Sequence, residues 1–217
     1  VNAITWSPDS SLLAAACDDG IVKVYDLDGT LRRSFTGHTH SVMCVAFNPK
    51  GNLLVSGSFD ENVRIWDIRR GRCIRTFPAH AGAVSAVDVT FDSTMILSCS
   101  YDGLTRLWDI SVGQCLKTLV PEHRPGPVLN ALFSPNAQYL LAATADGIIR
   151  IWDYLNNRIL RTYSGHKCSR YSCPVVVSDS SILSGSEDGA VYQWDINSSQ
   201  LIRTYKTHSD SPILAMQ

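Results

Sequence analysis

The dipeptides Trp66-Asp67, Trp108-Asp109, Trp152-Asp153 and Trp194-Asp195 recur at intervals of 42, 44 and 42 residues, and Tyr25-Asp26 extends the series upstream by 41. His38, His80, His123, His166 and His208 form a second series, spaced 42, 43, 43 and 42. A third comprises Asp19, Asp60, Asp102, Asp146 and Asp188, each six residues before its Trp or Tyr. Three interlocked series of one period mean that one supersecondary unit has been repeated. A unit of this size cannot bury its apolar face alone, so the chain must stack its units.

Each unit reads as strands. Val63-Arg64-Ile65-Trp66 and Ile149-Arg150-Ile151-Trp152 are β-branched and follow turn signals, a composition that suits pleated, buried segments. Four of the five turns before these strands read Asp-Gly, with Asp60-Glu61-Asn62 the exception; Asp-Gly is favoured where a tight turn needs positive φ. Leu53-Leu54-Val55-Ser56-Gly57-Ser58 and Ile182-Leu183-Ser184-Gly185-Ser186 read as buried strands with small residues. Nothing reads as an amphipathic helix. Four short strands per repeat predict an all-β fold of radial blades.

Composition narrows the function classes. Of 217 residues 45% are hydrophobic and 18% charged, with a formal net charge of −1. A nucleic-acid surface normally shows a basic excess, so direct nucleic-acid binding is not expected. No apolar run approaches the roughly 20 residues of a membrane span, and no stretch reads as a signal peptide. The seven cysteines are an odd number spread along the chain, which favours a reducing compartment over a disulfide framework. No nucleophile elbow, P-loop or dinucleotide fingerprint occurs, so no enzyme, cofactor or metal is expected. His166-Lys167-Cys168 with Cys173 lacks the Cys-x-x-Cys pairing of a zinc site. Cys73 and Cys115 share the slot of Leu31, Ile159 and Leu201 and read as packing residues, while Arg69, Arg70, Arg72 and Arg75 read as a solvated turn.

Gly37-His38…Trp66-Asp67 and Gly165-His166…Trp194-Asp195 resemble the WD-repeat family of β-propellers, across essentially the whole chain. The resemblance implies one propeller segment over 1–217, with repeats at roughly 1–37, 38–79, 80–122, 123–165 and 166–207 and a further one starting at 208–217. That is five four-stranded repeats plus one strand of what is usually a seven-bladed propeller. It also implies a buried His–hydroxyl–Asp–Trp set within a blade: His38, Asp60 and Trp66 with Ser56 or Ser58; His80, Asp102 and Trp108 with Ser98 or Ser100; and His166, Asp188 and Trp194. The first repeat, with Tyr25 and with Ala15 or Cys17, lacks a complete set.

Val55-Ser56-Gly57-Ser58-Phe59-Asp60, Pro78-Ala79-His80, Ser100-Tyr101-Asp102-Gly103-Leu104 and Ser184-Gly185-Ser186-Glu187-Asp188 are similar to a narrower group. These are the WD-repeat adaptor subunits, fungal Swd-type included, of COMPASS/MLL-type methyltransferase complexes that modify lysine four of histone three. The resemblance implies a non-catalytic, nuclear scaffold, with the cytoplasm as a second compartment. Its partners would be the methyltransferase subunit, a second propeller subunit and a histone tail. It implies a peptide-binding channel mouth at Asp18, Met43, Phe59, Ser85, Tyr101, Leu129, Tyr171 and Pro174, and a partner groove at Asn136, Tyr139 and Ile151. Met43 and Pro174 fall where the animal subunits carry the two phenylalanines that sandwich a guanidinium; Asn2, Leu129 and Ser172 replace other channel residues. The rival expectation is a substrate receptor of a cullin-RING ubiquitin ligase, from the Trp-Asp-x-Arg feature Trp66-Asp67-Ile68-Arg69.

Overall fold

The computed structural model describes residues 1–121, 126–169, 171, 173–178, 180–206 and 211–216; His123, His208 and Ser172 lie outside them. The first of two compact units, Val1–Val120, holds three four-stranded antiparallel sheets. They are β1 (Ala3–Trp6) to β4 (Leu31–Phe35) through β2 (Leu12–Ala16) and β3 (Val22–Asp26); β5 (Val42–Phe47), β6 (Leu53–Ser58), β7 (Asn62–Asp67) and β8 (Arg72–Pro78); and β9 (Val84–Val89), β10 (Met95–Ser100), β11 (Thr105–Asp109) and β12 (Cys115–Leu119). The second, Pro121–Gln217, holds two more: β13 (Val128–Phe133), β14 (Leu140–Thr144), β15 (Ile148–Asp153) and β16 (Arg158–Ser164), then β17 (Val175–Val177), β18 (Ser181–Gly185), β19 (Ala190–Asp195) and β20 (Leu201–Lys206). Every sheet is a meander whose strand order follows the chain. No helix occurs among the described residues, and none is long and apolar enough to cross a membrane.

Successive strand residues point to opposite sheet faces, and here both faces are covered. Leu54 and Trp66 pack toward Val24 and Phe35 of the preceding sheet, while Val55 and Ile65 pack toward Val84 and Trp108 of the following one. That is why these strands read as apolar runs with small residues rather than as alternation. In the second unit Ile149, Ile151 and Tyr163 pack in the same way against Ile182 and Trp194. Each fully buried aliphatic contributes about 1.5–3 kcal/mol relative to exposure.

The turns follow the sequence reading. Gly20, Gly103, Gly147 and Gly189 all have φ between 73° and 82°, and Glu61 takes the same left-handed position at φ 69°. Cys73 and Cys115 share one register, each opposite the repeat tryptophan across a bulge in the ladder. Cys73 packs against the first core as expected, whereas Cys115 differs from expectation and is exposed. The expected solvated arginine turn needs correction at Arg75. Its guanidinium donates to the carbonyls of Ser111 and, at 3.1 Å, Val112 in the turn of the next sheet. Arg33 grips the preceding turn alike, through Ile68 O at 3.1 Å and Arg69 O at 3.4 Å.

Candidate peptide-binding surfaces and buried histidine networks

In the second sheet His38 Nδ1 lies 2.9 Å from Asp60 Oδ2 and its Nε2 lies 2.8 Å from Ser56 Oγ. Trp66 Nε1 donates to the same hydroxyl at 2.8 Å. The third sheet repeats the distances with His80, Asp102, Ser98 and Trp108. A neutral imidazole satisfies every atom: Nδ1–H donates to the carboxylate, and Nε2 accepts the serine proton while the oxygen accepts from indole. Burial holds both histidines below their ordinary pKa despite the carboxylates beside them. Burial works against ionised Asp60, yet donation from the Thr39 amide and His38 keeps its pKa below the carboxylate norm.

Of the two candidate hydroxyls, the sets use Ser56 and Ser98. Ser58 Oγ instead donates to the His40 and Ser41 carbonyls, and Ser58 and Ser100 accept the Asp60 and Asp102 amides. The His166, Asp188 and Trp194 set is not assembled. Tyr192, in the position held by Arg64 and Arg106 earlier, donates its hydroxyl to Asp188 at 2.9 Å, and Trp194 Nε1 donates to Ser164 O at 3.3 Å. His166 packs edge-on against Trp194 with both ring nitrogens buried and without a hydrogen bond. In the fourth repeat Ala142 stands at the hydroxyl position, and Asp146 pairs with Arg150.

The peptide-binding candidates occupy two recurring positions. Asp18, Phe59 and Tyr101 each precede the turn aspartate in successive sheets of the first unit. Phe59 and Tyr101 are 57% and 42% exposed, unusual for aromatics, and are anchored by their amides to Ser41 O and Ala83 O. Asp18 accepts from Asn2 Nδ2 at 2.9 Å, and that bond leads in holding its pKa low. Met43, Ser85 and Leu129 occupy the other position, where each is the residue skipped by the pairing between the first and second strands of its sheet. A bulge re-aims the side chain it carries. Periodicity cannot reveal this, because a bulge is a slip in pairing and leaves no mark in composition.

In the second unit Tyr171 is exposed and its amide donates to Glu187 Oε1 at 2.9 Å, while Pro174 O accepts from Gly185 N. Two placements differ from expectation. Leu129 is buried against Cys168 and Cys173, and Ile151 belongs to the core rather than to an open groove. Asn136 and Tyr139 do share one exposed turn, where Ser134 Oγ donates to Asn136 Oδ1 at 2.6 Å and accepts the Tyr139 amide. Among the described residues, no group of three His, Cys, Asp or Glu side chains is placed to hold a metal.

Stacked four-stranded meanders, with a histidine–serine–tryptophan network repeated at one register, match a known pattern. The family model of the WDR5 beta-propeller domain matches residues 1–217. The chain belongs to that family. Relatives within the wider WD-repeat world include the COMPASS component SWD3 of Saccharomyces cerevisiae, 42% identical over 72 residues, which are 33% of this chain and 23% of that protein. Protein groucho of Drosophila melanogaster is 42% identical over 71 residues, 32% of this chain and 10% of groucho. Periodic tryptophan protein 2 of Arabidopsis thaliana is 45% identical over 71 residues, 32% of this chain and 8% of its own length. The matches thus span under a quarter of each relative. As a WDR5-type propeller the chain is a WD-repeat scaffold, and such rigid frames present loops to other proteins.

Proposed function

We propose that this protein is a non-catalytic, nuclear scaffold of a COMPASS-type complex that methylates lysine four of histone three. It would bind the methyltransferase subunit and a second propeller subunit. The observation that carries this reading is kinship with the yeast COMPASS component, added to the segments that resemble the Swd-type adaptors. Affinity purification of the full-length protein followed by mass spectrometry tests it. Co-purification of a methyltransferase and a sister propeller is expected. Recovery of a cullin adaptor instead would support the ubiquitin-ligase reading drawn from Trp66-Asp67-Ile68-Arg69, and recovery of neither would sink the COMPASS assignment.

Asp18, Met43, Phe59, Ser85 and Tyr101 of the first unit are the proposed peptide-binding positions there; in the second, Tyr171 and Pro174 face peptide and the Asn136–Tyr139 turn faces another subunit. A guanidinium needs flat π faces for cation–π attraction, and neither Met43 nor Pro174 supplies one. Loss of two such contacts, each about 0.5–2 kcal/mol, weakens an arginine-containing peptide by roughly tenfold to more than a hundredfold relative to an animal adaptor. Fluorescence polarisation with a labelled arginine peptide on the full-length protein measures this. Submicromolar binding would overturn this expectation.

A further inference from the structure

Between β16 and β17 the described residues form a compact group. Glu187 gathers it: its Oε1 accepts the amides of Ser169 at 2.7 Å and Tyr171 at 2.9 Å, while the Glu187 amide donates to Lys167 O. Inside the fold, Cys168 Sγ lies 3.4 Å from Tyr171 O, and Cys173 Sγ lies 3.6 Å from Lys167 O. The two thiols share one buried cluster with Leu129, yet Cys168 is flanked by exposed Lys167 and Ser169. His166, 5% exposed, offers two ring nitrogens that no hydrogen bond engages.

We propose that Cys168 and Cys173 form a redox-active dithiol, which hydrogen peroxide or an organic hydroperoxide closes to a disulfide across this loop. Contact with the Cys173 thiol, and then His166, lowers the pKa of Cys168, while the same contact raises that of Cys173. Loss of its proton leaves Cys168 as the thiolate, which is the reactive form. The thiolate attacks one peroxide oxygen, the O–O bond breaks, and the departing oxygen takes a proton to leave as water or alcohol. Cys168 becomes a sulfenic acid. Cys173 sulfur then attacks the Cys168 sulfur; the S–O bond breaks and a second water leaves with the thiol proton. Two thiols are oxidised and one peroxide is reduced. Cys44 and Cys99 serve as internal controls, since burial raises both thiol pKa values, Cys99 to about 12.

The test uses the full-length protein, reduced, treated with hydrogen peroxide at pH 7, alkylated in denaturant and digested with trypsin. Cleavage after Lys167 and Arg170 puts Cys168 and Cys173 on separate peptides. The expected product is a linked pair two hydrogens lighter than its parts, abolished by dithiothreitol, with Cys44 and Cys99 alkylated. Cys173→Ser should leave sulfenic acid at Cys168, raising dimedone capture about tenfold. His166→Gln should slow closure at pH 7 and much less at pH 9, which a purely structural role would not do. Alkylation of both cysteines, at a peroxide dose that oxidises glutathione in the same tube, overturns the proposal. So does preferential linkage to Cys115.

Discussion

His80 engages both of its ring nitrogens in buried hydrogen bonds. Its truncation strands the Asp102 carboxylate and the Ser98 hydroxyl, whose unmet desolvation is about 1–3 kcal/mol. His80→Ala should lower stability by that amount in a denaturant melt. His40→Ala, at an exposed histidine outside the phased series, should change it by less than about 0.5 kcal/mol. Glu61 gives the opposite sign. It holds a left-handed φ of 69° where four equivalent turns use glycine, at a conformational cost of about 1–2 kcal/mol. Glu61→Gly relieves that strain but frees the unfolded chain, so a net gain of about 0.5–1 kcal/mol is expected in the same melt. The partners of His80 were legible because period and residue type converge on them. The choice between Ser98 and Ser100 was not, since residues two apart share a strand face and only their position along the strand relative to the imidazole separates them. Nor was the rearrangement at Asp188, which accepts a hydrogen bond from Tyr192 where earlier repeats carry arginine.

Sheets meet face to face here, and Gly57 of β6 sits at a close approach. A methyl there would fall 2.4 Å from Val84 Cγ1 and 2.7 Å from Cys44 Sγ. Overpacking a filled interface costs typically about 1–3 kcal/mol. Gly57→Ala should show that loss by thermal or chemical melting, and an unchanged midpoint would mean that β9 can retreat. Arg75 joins the same two sheets from the outside. Arg75→Met keeps much of the aliphatic stem but removes the donors to the Ser111 and Val112 carbonyls. The expected cost is about 0.5–1.5 kcal/mol, with faster amide exchange in the turn before β12. Arg69→Ala, at an exposed side chain, should leave that exchange unchanged. The strands were readable from their β-branched runs. The clasp was not, because one arginine in a basic cluster looks like any other until the neighbouring turn is placed beside it.

Acid should loosen the whole protein in two stages. His38 and His80 have folded pKa values below the ordinary histidine value of about 6.5. As pH falls through that value the unfolded chain binds protons that the folded chain refuses, so stability falls with pH. Asp60, Asp102, Asp146, Asp153 and Asp195 are held below the usual carboxylate range. Their contribution is present above about 3.9 and is lost as pH drops through the folded values. Thermal melts should therefore show the midpoint falling between pH 7 and 5, then again below pH 4. A His38→Gln/His80→Gln protein should lose most of the first slope. At this scale the repeat announced the architecture at once, whereas Ile151 and Leu129 show what it could not announce: equivalence fixes a residue's place in a sheet, not what packs over it. The stretch after β4 has a last consequence. Phe35, on the outer strand of one sheet, lies 5.3 Å from the Trp66 ring of the next, and His38, three residues later, completes the network of that next sheet. What is inherited as a copy and what folds as a body are thus out of step. A gene cut immediately before β5 would part that sheet from the histidine that closes it, so a blade exchanged between such proteins should be spliced upstream of the preceding outer strand's aromatic residue.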